Sequence, residues 1–164
     1  MTSALICSTM PIFAQNLKPE FTARAKGIFG GGYDFTAGLR LTDNMTVGIL
    51  GGKAMAYYDA GPGDVNALNM AAYMRRYIHF GNKDILALYG DLSAGISWVY
   101  QVNGKYNYNS GMEPELIVKE NEGDILPLFT FEPGIRVRLI RNVHLFLGPT
   151  FSTHCKGIHV GFGF

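Results

Sequence analysis

Glu132, Arg136 and Arg138 fall on one face of a single extended segment, because alternate residues of such a segment point the same way. Asp34, Arg40, Arg75 and Asp91 hold the corresponding polar face of other segments. Seven ionisable groups of both signs, aimed to one side, can act in two ways. They can form a charged constriction that passes or gates small ions, or they can neutralise one another as a buried ion-pair network. Ser152 and His154 lie two residues apart, and Glu113, Glu115, Glu120 and Glu122 could supply an acid, so a Ser-His-acid set is a second chemistry. His79, His144 and His159 share the polar faces but belong to separate segments, whereas a metal site needs three or four converging ligands. No HExxH, P-loop, nucleophile elbow or GxGxxG occurs, and the glycine-rich Gly30–Phe35 precedes no helix that would cradle a phosphate. No cofactor and no metal are expected.

The elements that position these groups follow from composition and period. The chain has 164 residues, 14 Lys+Arg against 13 Asp+Glu, and 21 glycines, with only 16% charged and 48% hydrophobic residues. A net charge of +1 lacks the concentrated basic face of a nucleic-acid binder. Abundant aromatics argue against disorder, and no run approaches the roughly 18 apolar residues of a membrane-spanning helix. Residues 1–15 carry no charge and hold an apolar stretch from Ala4 to Ala14, as in a secretory signal cut after Ala14 or Gln15. The stretch lacks a basic start, so the expected signal peptide is an abbreviated one. Residues 16–164 then form one domain. Cys7 would leave with the signal, and Cys155 alone can build neither a disulfide framework nor a cysteine zinc site.

From Glu20 onward the period is two. Leu86, Leu88, Leu92, Ile96, Trp98 and Tyr100 alternate with Ala87, Tyr89, Asp91, Ser93, Ser97 and Val99. Phe129 to Leu139 and Tyr33 to Leu41 repeat the pattern, as do Val143–Phe151 and Ile158–Phe164. Three weaker segments complete the set: Phe21–Phe29, Met45–Tyr58 and Asn69–Phe80. Lys53 falls on the side of Val47, Ile49 and Met55, where a bulge among Gly48, Gly51 and Gly52 would reset the register. Arg75 and Arg76 face opposite ways, so one charge must stand on the apolar side and snorkel to an interface. Eight strands are predicted. Tight turns at Thr42–Asn44, Gly81–Asp84 and Arg141–Asn142 alternate with longer connections, Asp59–Ala67, Gln101–Ile125 and Thr153–Lys156.

In each well-formed strand one face is free of charge, while the other carries small, hydroxylated and charged residues. A narrow barrel of about eight strands has room inside only for side chains. An outward face made wholly of apolar and aromatic residues has lipid as its natural solvent, and a closed barrel leaves no backbone group unpaired there. Short turns at one end and longer loops at the other fit the same reading. A two-sheet sandwich with mixed faces is the competing architecture, since periodicity alone does not separate them. On these residues the chain resembles the small eight-stranded outer-membrane β-barrels of Gram-negative bacteria, of the OmpA and OmpX type. Ile158, Val160 and Phe162, alternating up to Phe164, resemble the C-terminal signal read by the barrel assembly machinery.

The expected fold is thus an all-β, eight-stranded antiparallel up-and-down transmembrane barrel. The resemblance implies a monomer in outer-membrane lipid that is structural, adhesive or loop-presenting and not an enzyme, with its lumen plugged by side chains. A narrow channel for small solutes or ions is the first alternative and a lipid-modifying enzyme the second. Tyr57, Tyr58, Tyr77, Tyr100 and Trp98 lie near strand ends, as an interfacial aromatic girdle would. Tyr106 and Tyr108, among the asparagines of the loop 101–125, are the candidate contacts for an extracellular ligand.

Overall fold

A computed structural model describes residues 17–57, 64–81, 85–103, 106–107, 115–116, 121–153 and 156–164. The expected signal peptide lies outside the described residues, as do Tyr58, Tyr108, His154 and Cys155. Every regular element described is a strand: β1 (Lys18–Thr42), β2 (Met45–Tyr57), β3 (Asp64–Phe80), β4 (Leu86–Asn103), β5 (Tyr106–Asn107), β6 (Glu115–Leu116), β7 (Ile125–Ile140), β8 (Val143–Ser152) and β9 (Lys156–Gly163). β1, β2, β3, β4, β7, β8 and β9 close into one barrel, while β5 and β6 form a two-stranded ribbon inside the long connection.

β1 supplies two staves. Its residues Thr22–Phe29 pair with β9 and Gly31–Thr42 pair with β2, antiparallel in both cases. An odd number of alternating strands cannot close with every neighbour antiparallel, so the chain must double back between Phe29 and Gly31. Cross-strand contacts Thr22–Thr36 and Arg24–Asp34 join the two halves. The barrel therefore has eight staves in up-and-down order. Ile28 at φ 129° and Gly32 at φ 150° absorb the reversal. The seam is sewn to its end by Phe21 and Phe164, which exchange backbone hydrogen bonds of 3.2 and 2.9 Å.

The period-two faces sort as elementary solvation requires. Phe35, Ile49, Met70, Leu92, Ile96, Phe129 and Phe162 stand exposed in an apolar exterior, and Thr36, Leu50, Ala71, Asp91, Thr130 and Glu132 are buried in the lumen. Ile158, Val160, Phe162 and Phe164 all belong to the exterior. Tyrosines penetrate the lumen where a glycine faces them: a Cβ on Gly134 would stand 2.8 Å from the Tyr89 hydroxyl, and one on Gly38 would collide with that of Tyr73.

Four sequence expectations change. Tyr77 is not a girdle residue; it is 1% exposed, because its parity with Arg75 turns it into the lumen. Trp98 does stand outside, while of the Tyr57 side chain nothing is described. No bulge resets β2, which pairs without a register shift to β3, so Lys53 remains on the outer side with its ammonium 5.5 Å from the centre of the Tyr100 ring. The connection expected at Asp59–Ala67 loses Asp64–Ala67 to β3, because Val65 and Ala67 continue the buried alternation against Val99. Gln101–Asn103 similarly extend β4.

Candidate functional site: the charged lumen

Four carboxylates and four cations form one connected chain of ion pairs across the barrel. At the short-turn end Arg40 Nη2 donates to Glu20 Oε2 at 2.8 Å, and Tyr77 donates its hydroxyl to Glu20 Oε1 at 2.6 Å. Arg75 Nη1 reaches the same Glu20 Oε1 at 2.8 Å. The other side of the Arg75 fork grips Asp91 in a two-point contact, Nε to Oδ1 and Nη2 to Oδ2, both 2.7 Å. Such paired N–H···O contacts are the strong, geometrically specific form of a charge-assisted hydrogen bond. Arg24 continues the chain. Its Nη1 lies 2.6 Å from Asp91 Oδ2 and 2.8 Å from Glu132 Oε2, and its Nε lies 2.8 Å from Asp34 Oδ1. Lys26 closes it by bridging Asp34 and Glu132 at 2.5 Å each.

Register explains why these residues meet. Arg75 pairs directly with Asp91 across β3 and β4, and Asp91 with Glu132 across β4 and β7. The first stave of β1 then lays Glu20, Thr22, Arg24 and Lys26 along the opposite wall, all even-numbered and all inward. Arg75 is fully buried and Arg24, Asp91 and Glu132 nearly so, which would cost several kcal/mol per ion without partners. The four negative and four positive charges balance. Beside them, Tyr89 contacts His159 Nε2, and His159 Nδ1 lies 2.9 Å from Thr150 Oγ1, which in turn lies 3.0 Å from Glu132 Oε1. One donor pattern satisfies this relay: Tyr89 donates to Nε2, Nδ1–H to Thr150, and the Thr150 hydroxyl to Glu132, with a neutral imidazole.

Of the seven charged residues singled out in the sequence, Asp34, Arg40, Arg75, Asp91 and Glu132 enter this chain. Arg136 is buried nearer the short turns, its guanidinium 4.5 Å above the Tyr77 ring. Arg138 is half-buried opposite His144. Glu20, Arg24 and Lys26 were missed, and they are three of the eight. Their signal was the alternation of Thr22, Arg24 and Lys26 against Phe21, Ala23 and Ala25. Among the described histidines, His159 joins the charged centre, while His79 contacts the Asp43 carbonyl at 3.1 Å in a turn.

The arrangement does acid–base chemistry poorly, because each carboxylate is already held by a guanidinium or ammonium. Ser152 lies 3.3 Å from Thr130, whose hydroxyl donates to it, and its proposed partner His154 is outside the described residues. Glu122 is committed to the backbone N–H of Val102 at 3.2 Å. Among the described residues no three His, Cys, Asp or Glu side chains converge as metal ligands. Tyr106 sits in the β5–β6 ribbon opposite Leu116, with its side chain undescribed.

A closed antiparallel barrel with an apolar exterior and an ion-paired lumen is the construction of a small membrane-spanning β-barrel protein. Two solved structures share the fold. The N-terminal β-barrel domain of Pseudomonas aeruginosa OprF aligns over 91% of this chain and 98% of its own, with TM-score 0.52 and 15% identity. Neisserial surface protein A aligns over 88% and 92%, with TM-score 0.50 and 16% identity. At such identities the likeness is one of fold. No family model and no curated protein matches the sequence.

Proposed function

We propose that this chain is a non-enzymatic integral outer-membrane barrel of a Gram-negative bacterium, a rigid plugged stave-cylinder that presents its longer loops outward. The observation that carries the reading is the lumen itself. A balanced chain of eight charges, anchored on five staves, crosses the lumen, and a barrel of eight staves has little room inside beyond its side chains. Adhesion or ligand contact then belongs to the connection between β4 and β7, with Tyr106 and Tyr108 as its aromatic contacts. The outward run Ile158, Val160, Phe162 and Phe164 is offered to the barrel assembly machinery during biogenesis, and the mature protein stands as a monomer in outer-membrane lipid.

The test has two stages. The detergent-folded chain, run unboiled and boiled on an SDS gel, is expected to migrate at two positions, because a closed barrel resists SDS until heated. In a planar bilayer the same material is expected to give at most small, infrequent conductance steps. Large stable steps would replace the plugged cylinder by the channel reading.

A further inference from the structure

Shallow apolar troughs cross the exterior, and one of them ends on a cation. Ile78 pairs with Leu88, Leu88 with Ile135, and Ile135 with Leu147, so four large side chains form a ridge across β3, β4, β7 and β8. Four residues away along each strand runs a second ridge, Met74, Leu92, Phe131 and Phe151, made by the same pairings. Between them the row reads Arg76, Gly90, Pro133, Pro149. Arg76 is the cross-strand partner of Gly90, Gly90 of Pro133, and Pro149 lies beside Pro133 between the two flanking pairs. A Cβ placed on Gly90 would meet nothing nearer than the edge of the Phe131 ring at 3.9 Å. The outcome is a trough of about 710 Å³ with an almost wholly apolar lining and one charge at its end.

That charge stands apart from the ion-pair chain of the lumen. Among the described residues Arg76 has no hydrogen-bond or ion-pair partner, and it is exposed on the apolar side. Its register places it opposite Met45, the first residue after the turn Asp43–Asn44, which is the level at which that hairpin leaves the barrel. The row then climbs. It passes from Met45 at the start of β2 to Pro149, whose partner Ile158 is near the loop end of β9. Strands tilted by roughly 35–45° carry such a row obliquely from the interface into the hydrocarbon. A cation at the interface followed by a rising apolar trough has the shape of one molecule: an acidic head with a hydrocarbon tail.

We propose that this trough is a selective site for an anionic phospholipid of the leaflet at the short-turn end, its phosphate on Arg76 and one acyl chain laid over Gly90, Pro133 and Pro149. The site rests on the membrane reading above. Glycine at position 90 leaves room for the chain, and the ridges on either side hold it in line. Arg76 supplies the preference for negative charge, which for one basic side chain near a membrane surface amounts to about five-fold in retention.

The test is native mass spectrometry of the folded full chain in nonionic detergent with phosphatidylglycerol, phosphatidylethanolamine or phosphatidylcholine of identical acyl chains. Phosphatidylglycerol is expected to be retained about five-fold better than phosphatidylcholine. Arg76→Gln should abolish that preference, Gly90→Leu should lower retention of all three lipids, and Lys53→Gln, which removes an outward cation from the neighbouring strand β2, should change neither. Equal retention of the charged and zwitterionic lipids, or an unchanged preference in Arg76→Gln, would overturn the site. So would a dimer mass that Gly90→Leu removes, since the occupant would then be a second copy of the chain. The same samples run unboiled and boiled separate the two failures: a heat shift with no lipid preference sinks only the site, and no heat shift sinks the membrane barrel with it.

Discussion

The lumen is filled in two ways, and the two halves follow different rules. Toward the short turns and through the middle it is charged, with Arg75, Arg24, Asp91 and Glu132 buried and mutually bonded. Toward the loops it is aliphatic: Val65, Ala67 and Val99 pack together, with Val102 and Leu126 against them. Between the two lie Leu50, Ala71, Tyr73 and Leu128. An aliphatic plug fills space and leaves no obligation behind, so a missing methyl costs only its own contacts and a small cavity. A charged plug depends on every member, because removing one ion strands its partners in a dry interior. Aliphatic packing tolerates variation, whereas the ion-pair chain fixes which staves stand side by side.

Substitutions can break this contrast. The largest effect is expected for Arg75→Met, which leaves Glu20 with Arg40 alone and Asp91 with Arg24 alone as buried counter-charges and should lower unfolding stability by about 3 kcal/mol in urea titrations of the lipid-refolded chain. Restoring part of that loss with Glu20→Gln in the same chain would sharpen the assignment to unbalanced buried charge. Next, Leu92→Lys puts a single unpaired charge on the outer face and should cost about 2–4 kcal/mol in bilayers. The same substitution should cost far less in detergent micelles, whose headgroups reach the whole belt. The smallest effect is expected at the loop end of the lumen. Ser97→Ala removes a 2.7 Å hydrogen bond to Asn69 and should cost about 1 kcal/mol. If Ser97→Ala proved as damaging as Arg75→Met, the two halves of the lumen would not differ in kind.

Much of this is legible in the sequence, for a physical reason. A period of two with charge on one side only is a statement about solvent on both faces, and the tight turns set the stave order. Register within a strand was the part that residue type obscured. Tyr77 looked like a girdle tyrosine because it is aromatic and near a strand end, yet its even spacing from Arg75 decides its side, and its hydroxyl serves Glu20. Lys53 invited a bulge that the backbone does not make. Glu20, Arg24 and Lys26 were passed over because their stave is short of large outward residues. Their importance depends on partners such as Asp91 and Glu132, distant in sequence, which no local pattern joins to them.

The seam between the first stave and β9 has a consequence for the order of events in folding. Phe21 and Phe164 are bonded backbone to backbone although nearly the whole chain lies between them. That contact is strongly non-local, and non-local pairing is the slow kind. Until it forms, the sheet has two open edges whose unpaired N–H and C=O groups will accept any passing strand. Arg24 is on the first stave, while its partners Asp91 and Glu132 are held by β4 and β7, so much of the lumen's charge also waits for closure. Formation of the cylinder is thus tied to a single late step. A chain halted before that step carries exposed strand edges and unsatisfied ions together, which makes it a substrate for aggregation and proteolysis instead of a partly useful barrel.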